Sequence, residues 1–123
     1  MNLKIKFCKH IPFKGNYALT LFDYMIIRKE YEYMPILKTT LNHESIHQAQ
    51  SRDFGIGFCG YFIFYLLYLL EWLLKLPFTF FGYDAYHSIS FEQESYNNEY
   101  NLSYLTERKR FAWVKYMFKL VKK

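Results

Sequence analysis

The sequence predicts an α+β fold from three observations. β-favouring aromatic and branched residues crowd the N-terminal quarter, a polar segment with two histidines at helical spacing follows, and a long uncharged run then leads into an amphipathic last third. At 123 residues the chain suits one domain spanning 1–123, and this length excludes a two-domain enzyme. With 52% hydrophobic and 22% charged residues it can build a core, which excludes a disordered tail or a low-complexity linker. Aromatic residues reach 23%, with 13 Tyr and 13 Phe, and so many rings need a thick core or an amphipathic surface such as a membrane interface to cover them.

From the N-terminus, Lys14-Gly15-Asn16 has the composition of a turn, and it feeds the stretch Asn16 to Arg28, which reads as a strand. Residues 3–8 are expected to pair with it, giving a short hairpin or sheet. A charged, turn-like stretch runs from Lys29 to Pro35, after which Thr39 or Thr40 can cap a helix carrying LNHESIHQAQSRDF. That helix should end near Gly55 or Gly57. Next come Phe54 to Leu70 without a charge, then Glu71 to Leu76 and a break at Pro77. Asp84 to Lys123 contains neither Gly nor Pro and predicts one or two amphipathic helices.

The formal net charge is only +5, but it is unevenly spread. Lys4, Lys6, Lys9 and Lys14 precede the first acid, and Arg108, Lys109, Arg110, Lys115, Lys119, Lys122 and Lys123 close the chain. Between them, Leu76 to Glu107 has no Lys or Arg yet carries Asp84, Glu92, Glu94, Glu99 and Glu107, which makes it the place to seek a cation site. Cys8 and Cys59 make neither a disulfide framework nor a metal-binding pair, so a reducing compartment is expected. The N-terminus lacks the apolar stretch of a secretion signal, which points to the cytoplasmic side.

His43-Glu44-Ser45-Ile46-His47 is an HExxH pattern. On a helix, side chains four residues apart share a face about one turn apart, so both imidazoles can bind one Zn²⁺. Glu44 lies roughly 100° around the helix from His43. From there its carboxylate can accept a proton from a metal-activated water and pass it to a leaving amine, the general-base role in zinc peptide hydrolysis. A catalytic zinc needs a third protein ligand and an open position for water. The remaining candidates are His10, His87 and the acids around Ser90 to Tyr96, some forty-five residues downstream, of which Glu92 and Glu94 point about 200° apart on a helix. Only one of those two can face the ion.

The residues NHESIHQAQ, an apolar helix, and then AYHSISFEQESYNNE resemble the small HExxH metalloproteases of the gluzincin (zincin-like) kind, over residues 39–100. The resemblance implies one zinc per chain, with a glutamate of a later helix as third ligand. In the prenyl-protein-processing and regulatory members that ligand opens an E-x-x-A-D or E-x-x-A-N pattern, which maps onto Glu92 to Tyr96 and favours Glu92 over Glu94. Tyr96 stands where those families place an Asp or Asn that orients a zinc-bound histidine. The chain is similar still more closely to short bacterial proteins with HExxHxxQ and FExEA signatures, from which no substrate follows.

Together these point to a zinc-dependent metallopeptidase acting on a peptide or protein, with His43, His47 and Glu92 holding zinc and Glu44 as base. Tyr96 and His87 are candidates for positioning a ligand or steadying the transition state, and Glu94 is the alternative third ligand. Because the histidines precede the apolar run and Glu92 follows it, a single membrane crossing would separate them. The run is therefore a core helix, a re-entrant hairpin or an interfacial anchor. The two basic ends favour association with an anionic membrane surface, peripheral or monotopic on the inner face. The cations are not interleaved with a nucleic-acid-binding module, so nucleic acid is not an expected partner. The alternative to a peptidase is a non-catalytic membrane-associated module with a structural or lost zinc site.

Overall fold

The structure, a computed structural model, describes residues 4–10, 18–21 and 24–123. The fold is α+β: three short strands, β1 (Lys4–Cys8), β2 (Ala18–Leu21) and β3 (Tyr24–Arg28), precede the helical part. The turn expected at Lys14-Gly15-Asn16 lies outside the described residues. The single strand expected over Asn16 to Arg28 is instead two among the described residues, β2 pairing antiparallel to β3 with Ala18 opposite Ile27 and Leu21 opposite Tyr24. β1 pairs parallel to β3, Lys4 opposite Tyr24 and Cys8 opposite Arg28, so the sheet order is β1-β3-β2. Along β3, fully buried Met25 and Ile27 alternate with more exposed neighbours, the period of two that turns one face of a sheet inward.

Helix α1 runs Ile36–Arg52. It begins before the threonines predicted to cap it, because Pro35 already has helical backbone angles (φ −57°, ψ −29°) and lacks an N–H that needs a partner. Thr39 and Thr40 consequently sit inside the helix. Its buried residues are mostly polar, Asn42, His43, Glu44, His47, Gln48, Gln50 and Ser51 among them, with Ile46 fully enclosed. Burying polar groups is unfavourable unless each finds a hydrogen bond, so this face is built for partners rather than for oily packing. Asn42 shows how: its Nδ2 donates to the carbonyl oxygens of Asn98, Glu99 and Asn101 at 3.3, 2.8 and 3.0 Å, tying α1 to the end of the ligand-bearing helix.

Helix α2 spans Phe58–Lys75 as one continuous helix. A re-entrant hairpin is therefore ruled out, and Gly55 and Gly57, the positions predicted to end the preceding helix, hold positive φ between α1 and α2. Gly60 lets the two helices meet: a Cβ there would lie 2.7 Å from the Ser51 carbonyl and closer still to that of Gly55. One face of α2 contributes Phe64 to a core cluster with Ile89, Phe91 and Trp113, against which Phe54, Tyr68 and Trp72 pack. The opposite face is exposed. Phe58–Phe81 is long and apolar enough to cross a membrane by length and composition alone, and 22% of its apolar window is buried within the protein.

Pro77 ends α2 as expected, in a 3-10 turn (Leu76–Phe81) closed by Gly82 at φ +91°. The last third departs most from prediction. Only α4 (Ser90–Asn98) is a helix of more than one turn there; α3 (Ala85–Ser88), α5 (Tyr104–Glu107) and a 3-10 segment (Ala112–Tyr116) are short, and the rest is irregular. The aromatic and cationic side chains of this tail follow no helical face because they wrap over α4 instead: Gln93 Nε2 donates to the carbonyls of Ser88, Tyr116 and Lys119 at 2.8, 3.2 and 2.9 Å.

Candidate metal centre

Helices α1 and α4 pack together and bring His43, His47 and Glu92 into one buried group. Their donor atoms lie within 4.8 Å of one another, and the group could hold a metal ion. Glu92 presents one carboxylate oxygen to each ring, Oε1 to His43 Nε2 and Oε2 to His47 Nε2, both at 3.2 Å. Each far nitrogen already has an acceptor. His43 Nδ1 lies 2.7 Å from Glu99 Oε2, and His47 Nδ1 lies 2.8 Å from Gln50 Oε1. A ring nitrogen that donates to a carboxylate or amide oxygen fixes the tautomer and leaves the opposite nitrogen's lone pair for a metal. Two imidazoles so oriented and one carboxylate match the His₂Glu donor set that suits zinc.

Electrostatics agrees with this arrangement. Burial works against charge on His47, but Glu92 in contact and Glu44 nearby outweigh it and raise its pKa to about 9. Burial likewise opposes ionisation of Glu92, yet His47 and His43 hold its carboxyl far below the usual carboxylate range. Tyr68, on α2, donates its hydroxyl to Glu92 Oε2 at 2.7 Å and fixes the carboxylate from a third side. Burial, and then Glu92, push that phenol well above its ordinary pKa, so it stays protonated and a donor.

An incoming metal must displace the proton on His47 Nε2, so uptake at pH 7 should release about one proton from this ring, and affinity should rise with pH towards 9. Calorimetry in buffers of different ionisation heat measures this directly; heats independent of buffer would mean that His47 is neutral. The sign for stability follows from the same shift. A pKa raised on folding stabilises the metal-free protein fully below pH 6.5, and that contribution is lost as pH rises through about 9.

The other predicted residues take distinct places. Glu44 is buried and lines a cavity of about 400 Å³ together with His43, Tyr86, His87, Tyr96 and Glu99. Glu94 points away from the group; it is fully buried and accepts from Gln50, Tyr104 and Arg108 at 3.0, 2.8 and 2.5 Å. The two glutamates face opposite ways, as their spacing on one helix demands. Tyr96 sets its ring edge against His43, centroids 4.5 Å apart, while the acceptor at His43 Nδ1 is Glu99, three residues later. His87 lies at the cavity wall with Nδ1 2.8 Å from Asp84 Oδ2, its ring 4.9 Å from that of Tyr96. Desolvation opposes it, but the His87 backbone N–H and imidazole hold Asp84 below its ordinary pKa. His10 is exposed and outside the group.

Sequence reasoning assigned no role to Gln50 or Tyr68, and named Glu99 only as one acid of the segment in which to seek a cation site. A signal existed for two of them: Gln50 falls three residues after His47, and Glu99 two helical turns after Glu92, both on the faces that carry the ligands. Replacing Glu99 with Gln should weaken metal binding at this group by about 10- to 100-fold while leaving the fold intact. Competition against a chromophoric chelator measures it; unchanged affinity would remove Glu99 from any role in orienting His43.

No protein-family model, curated protein or solved structure matches this chain.

Proposed function

We propose that this protein is a zinc-dependent peptidase of the zincin-like kind, with zinc held by His43, His47 and Glu92. The observation that carries the reading is the pairing of each ligand histidine with its own acceptor, Glu99 or Gln50, beside a cavity whose wall includes Glu44. Any buried histidine needs hydrogen-bond partners; what favours a metal site is that the two far nitrogens are engaged while both near nitrogens converge on the one carboxylate of Glu92. Zinc, when bound, acts as a Lewis acid and makes water nucleophilic near neutral pH.

Glu44 is next in sequence to His43 and faces the same cavity, so it can take the proton of the attacking water and hand it to the leaving nitrogen. Tyr96 and His87, in the same wall, are the groups that can donate to a carbonyl oxygen as it becomes negative. Burial raises the pKa of both Tyr96 and Tyr86 above the ordinary phenol value, which keeps their protons available for donation. Ala18 of β2 also lines the cavity, and β2 is an edge strand of the sheet. An extended peptide can therefore pair with that edge and lay its scissile bond beside Glu44.

The test begins with elemental analysis. One zinc per chain, lost in His47→Ala and in Glu92→Ala, supports the ligand set, and cleavage of a peptide library by the wild type supports the activity. Zinc without hydrolysis would favour the structural staple of a non-catalytic module, and no zinc after reconstitution would overturn the metal centre itself.

A further inference from the structure

Helix α2 and the 3-10 turn after it are built inside out for a surface in water. From Phe58 to Phe81, the exposed residues are without exception Phe, Leu, Ile, Cys or Pro, and every charged or hydrogen-bonding side chain there is buried or half-buried. The polar residues of the same stretch turn inward. Lys75 is buried, bound to Glu71 at 2.6 Å and to the Ser88 carbonyl, while Glu71 accepts from Ser90 N and Oγ at 2.7 and 2.6 Å. Tyr61 and Tyr68 send their hydroxyls to Gln48 and Glu92. A helix on a water-facing surface shows the reverse pattern, and an apolar area this continuous marks a site for another apolar phase.

The end of this face is cationic. The tail returns beside Leu76–Phe81, where Lys123 donates to the Gly82 carbonyl through its backbone N–H at 2.9 Å and to that of Thr79 through Nζ at 3.2 Å. Lys122 bridges to Tyr83, and the carbonyl of Lys119 approaches Lys75 Nζ. Exposed Lys122 and Lys123 thus lie beside the segment carrying exposed Phe80 and Phe81, and exposed Lys119 follows exposed Phe118 in the chain. Among the described residues none of these three lysines lies within ion-pair distance of an acid; Glu71 is engaged by Lys75 and Ser90, and Asp84 by His87. Aromatic rings beside lysines that have no acid in ion-pair reach suit the headgroup level of an anionic bilayer, whose phosphates supply the missing charge.

We propose that the outward face of Phe58–Phe81 docks the protein on an anionic lipid bilayer, with α2 lying in the plane of the interface. Contacts from Tyr61, Tyr68 and Lys75 are spread along the helix, to Gln48 of α1, Glu92 of α4 and Ser88 of α3, so the rest of the protein flanks it from end to end. A crossing would drag their exposed charges, Lys38 and Arg52 among them, into hydrocarbon. The docking does not depend on the metal chemistry.

The test is flotation of the full chain with vesicles of phosphatidylcholine containing phosphatidylglycerol, and of phosphatidylcholine alone. The wild type should float with the first and much less with the second. Joint replacement Lys119→Gln, Lys122→Gln and Lys123→Gln should lower partitioning about fivefold per lysine, and so about a hundredfold in all. Leu66→Glu with Leu73→Glu, both exposed in the wild type, should abolish flotation while the near-ultraviolet circular dichroism of Trp72 and Trp113 is kept. A wild type that stays in the dense fraction would overturn the proposal, as would a soluble dimer lost in the Leu66→Glu, Leu73→Glu variant. So would terminal tags of which one alone is cut by protease added outside the vesicles, the signature of a spanning helix.

Discussion

On the zinc-peptidase proposal, Glu44→Gln should leave close to one zinc per chain and lower peptide hydrolysis by about 10²- to 10⁴-fold, the range a positioned general base contributes. The separation of the two effects follows from geometry. Glu44 is not among the three residues whose donor atoms converge, so the ligand set survives its loss, whereas the only change in the cavity wall is a carboxylate that can no longer accept a proton. The amide is nearly isosteric, and the buried position keeps its packing. Glu44 also helps to hold charge on His47, so the variant should bind zinc with slightly less competition from protons. Elemental analysis and cleavage of a peptide library, run on the same preparation, decide the matter. Equal rates for variant and wild type would remove Glu44 from the reaction, and joint loss of zinc and cleavage would mean that it supports the ligands.

Arg108→Ala should destabilise the fold by about 3–5 kcal/mol, the cost of leaving buried charge without its partner. Arg108 is 6% exposed in its side chain and forks between two acids. It grips Asp53 with both terminal nitrogens, at 3.0 and 2.7 Å, and Glu94 through Nε at 2.5 Å. Desolvation works against its charge, but Asp53 and Glu94 hold its pKa above even the ordinary arginine value. Removing it strands two carboxylates in one site. The damage should reach the metal group, because Gln50 bonds both Glu94 and His47. Arg108→Lys keeps a charge but not the planar fork, and should recover part of the loss. Urea denaturation of the three proteins measures this; an Arg108→Ala midpoint equal to wild type would show that the network contributes nothing to stability.

The parts of this molecule that were legible in sequence are those set by local spacing. His43 and His47 share a face because four residues make about one helical turn, and Glu92 faces away from Glu94 because two residues make just over half of one. The α+β class followed from where β-branched and aromatic residues crowd, and Pro77 announced the end of α2. What stayed hidden depends on contacts between distant segments. Glu99 reaches His43 only because Asn42 fastens the end of α4 to α1, across more than fifty positions of chain. Arg108 reads as one more cation of a basic tail until the fold seats it between Asp53 and Glu94. The tail itself has no Gly or Pro to break a helix, yet it is mostly irregular, because covering α4 and filling carbonyl acceptors for Gln93 outweigh intrinsic helix preference there.

The donors brought together by α1 and α4 are far apart in the chain, His43 and Glu92 being 49 positions from each other. In the language of polymer statistics, an ion held by both closes a long loop and removes the extended conformations of the unfolded chain that would keep its ends apart. A covalent crosslink over that span is worth about 4 kcal/mol on the chain-entropy estimate. Cys8 and Cys59 are free thiols, so no sulfur bridge supplies such a tether. Bound metal would give this small chain the same restraint in a form that a chelator or falling metal supply can undo, coupling the lifetime of the folded protein to the free zinc around it.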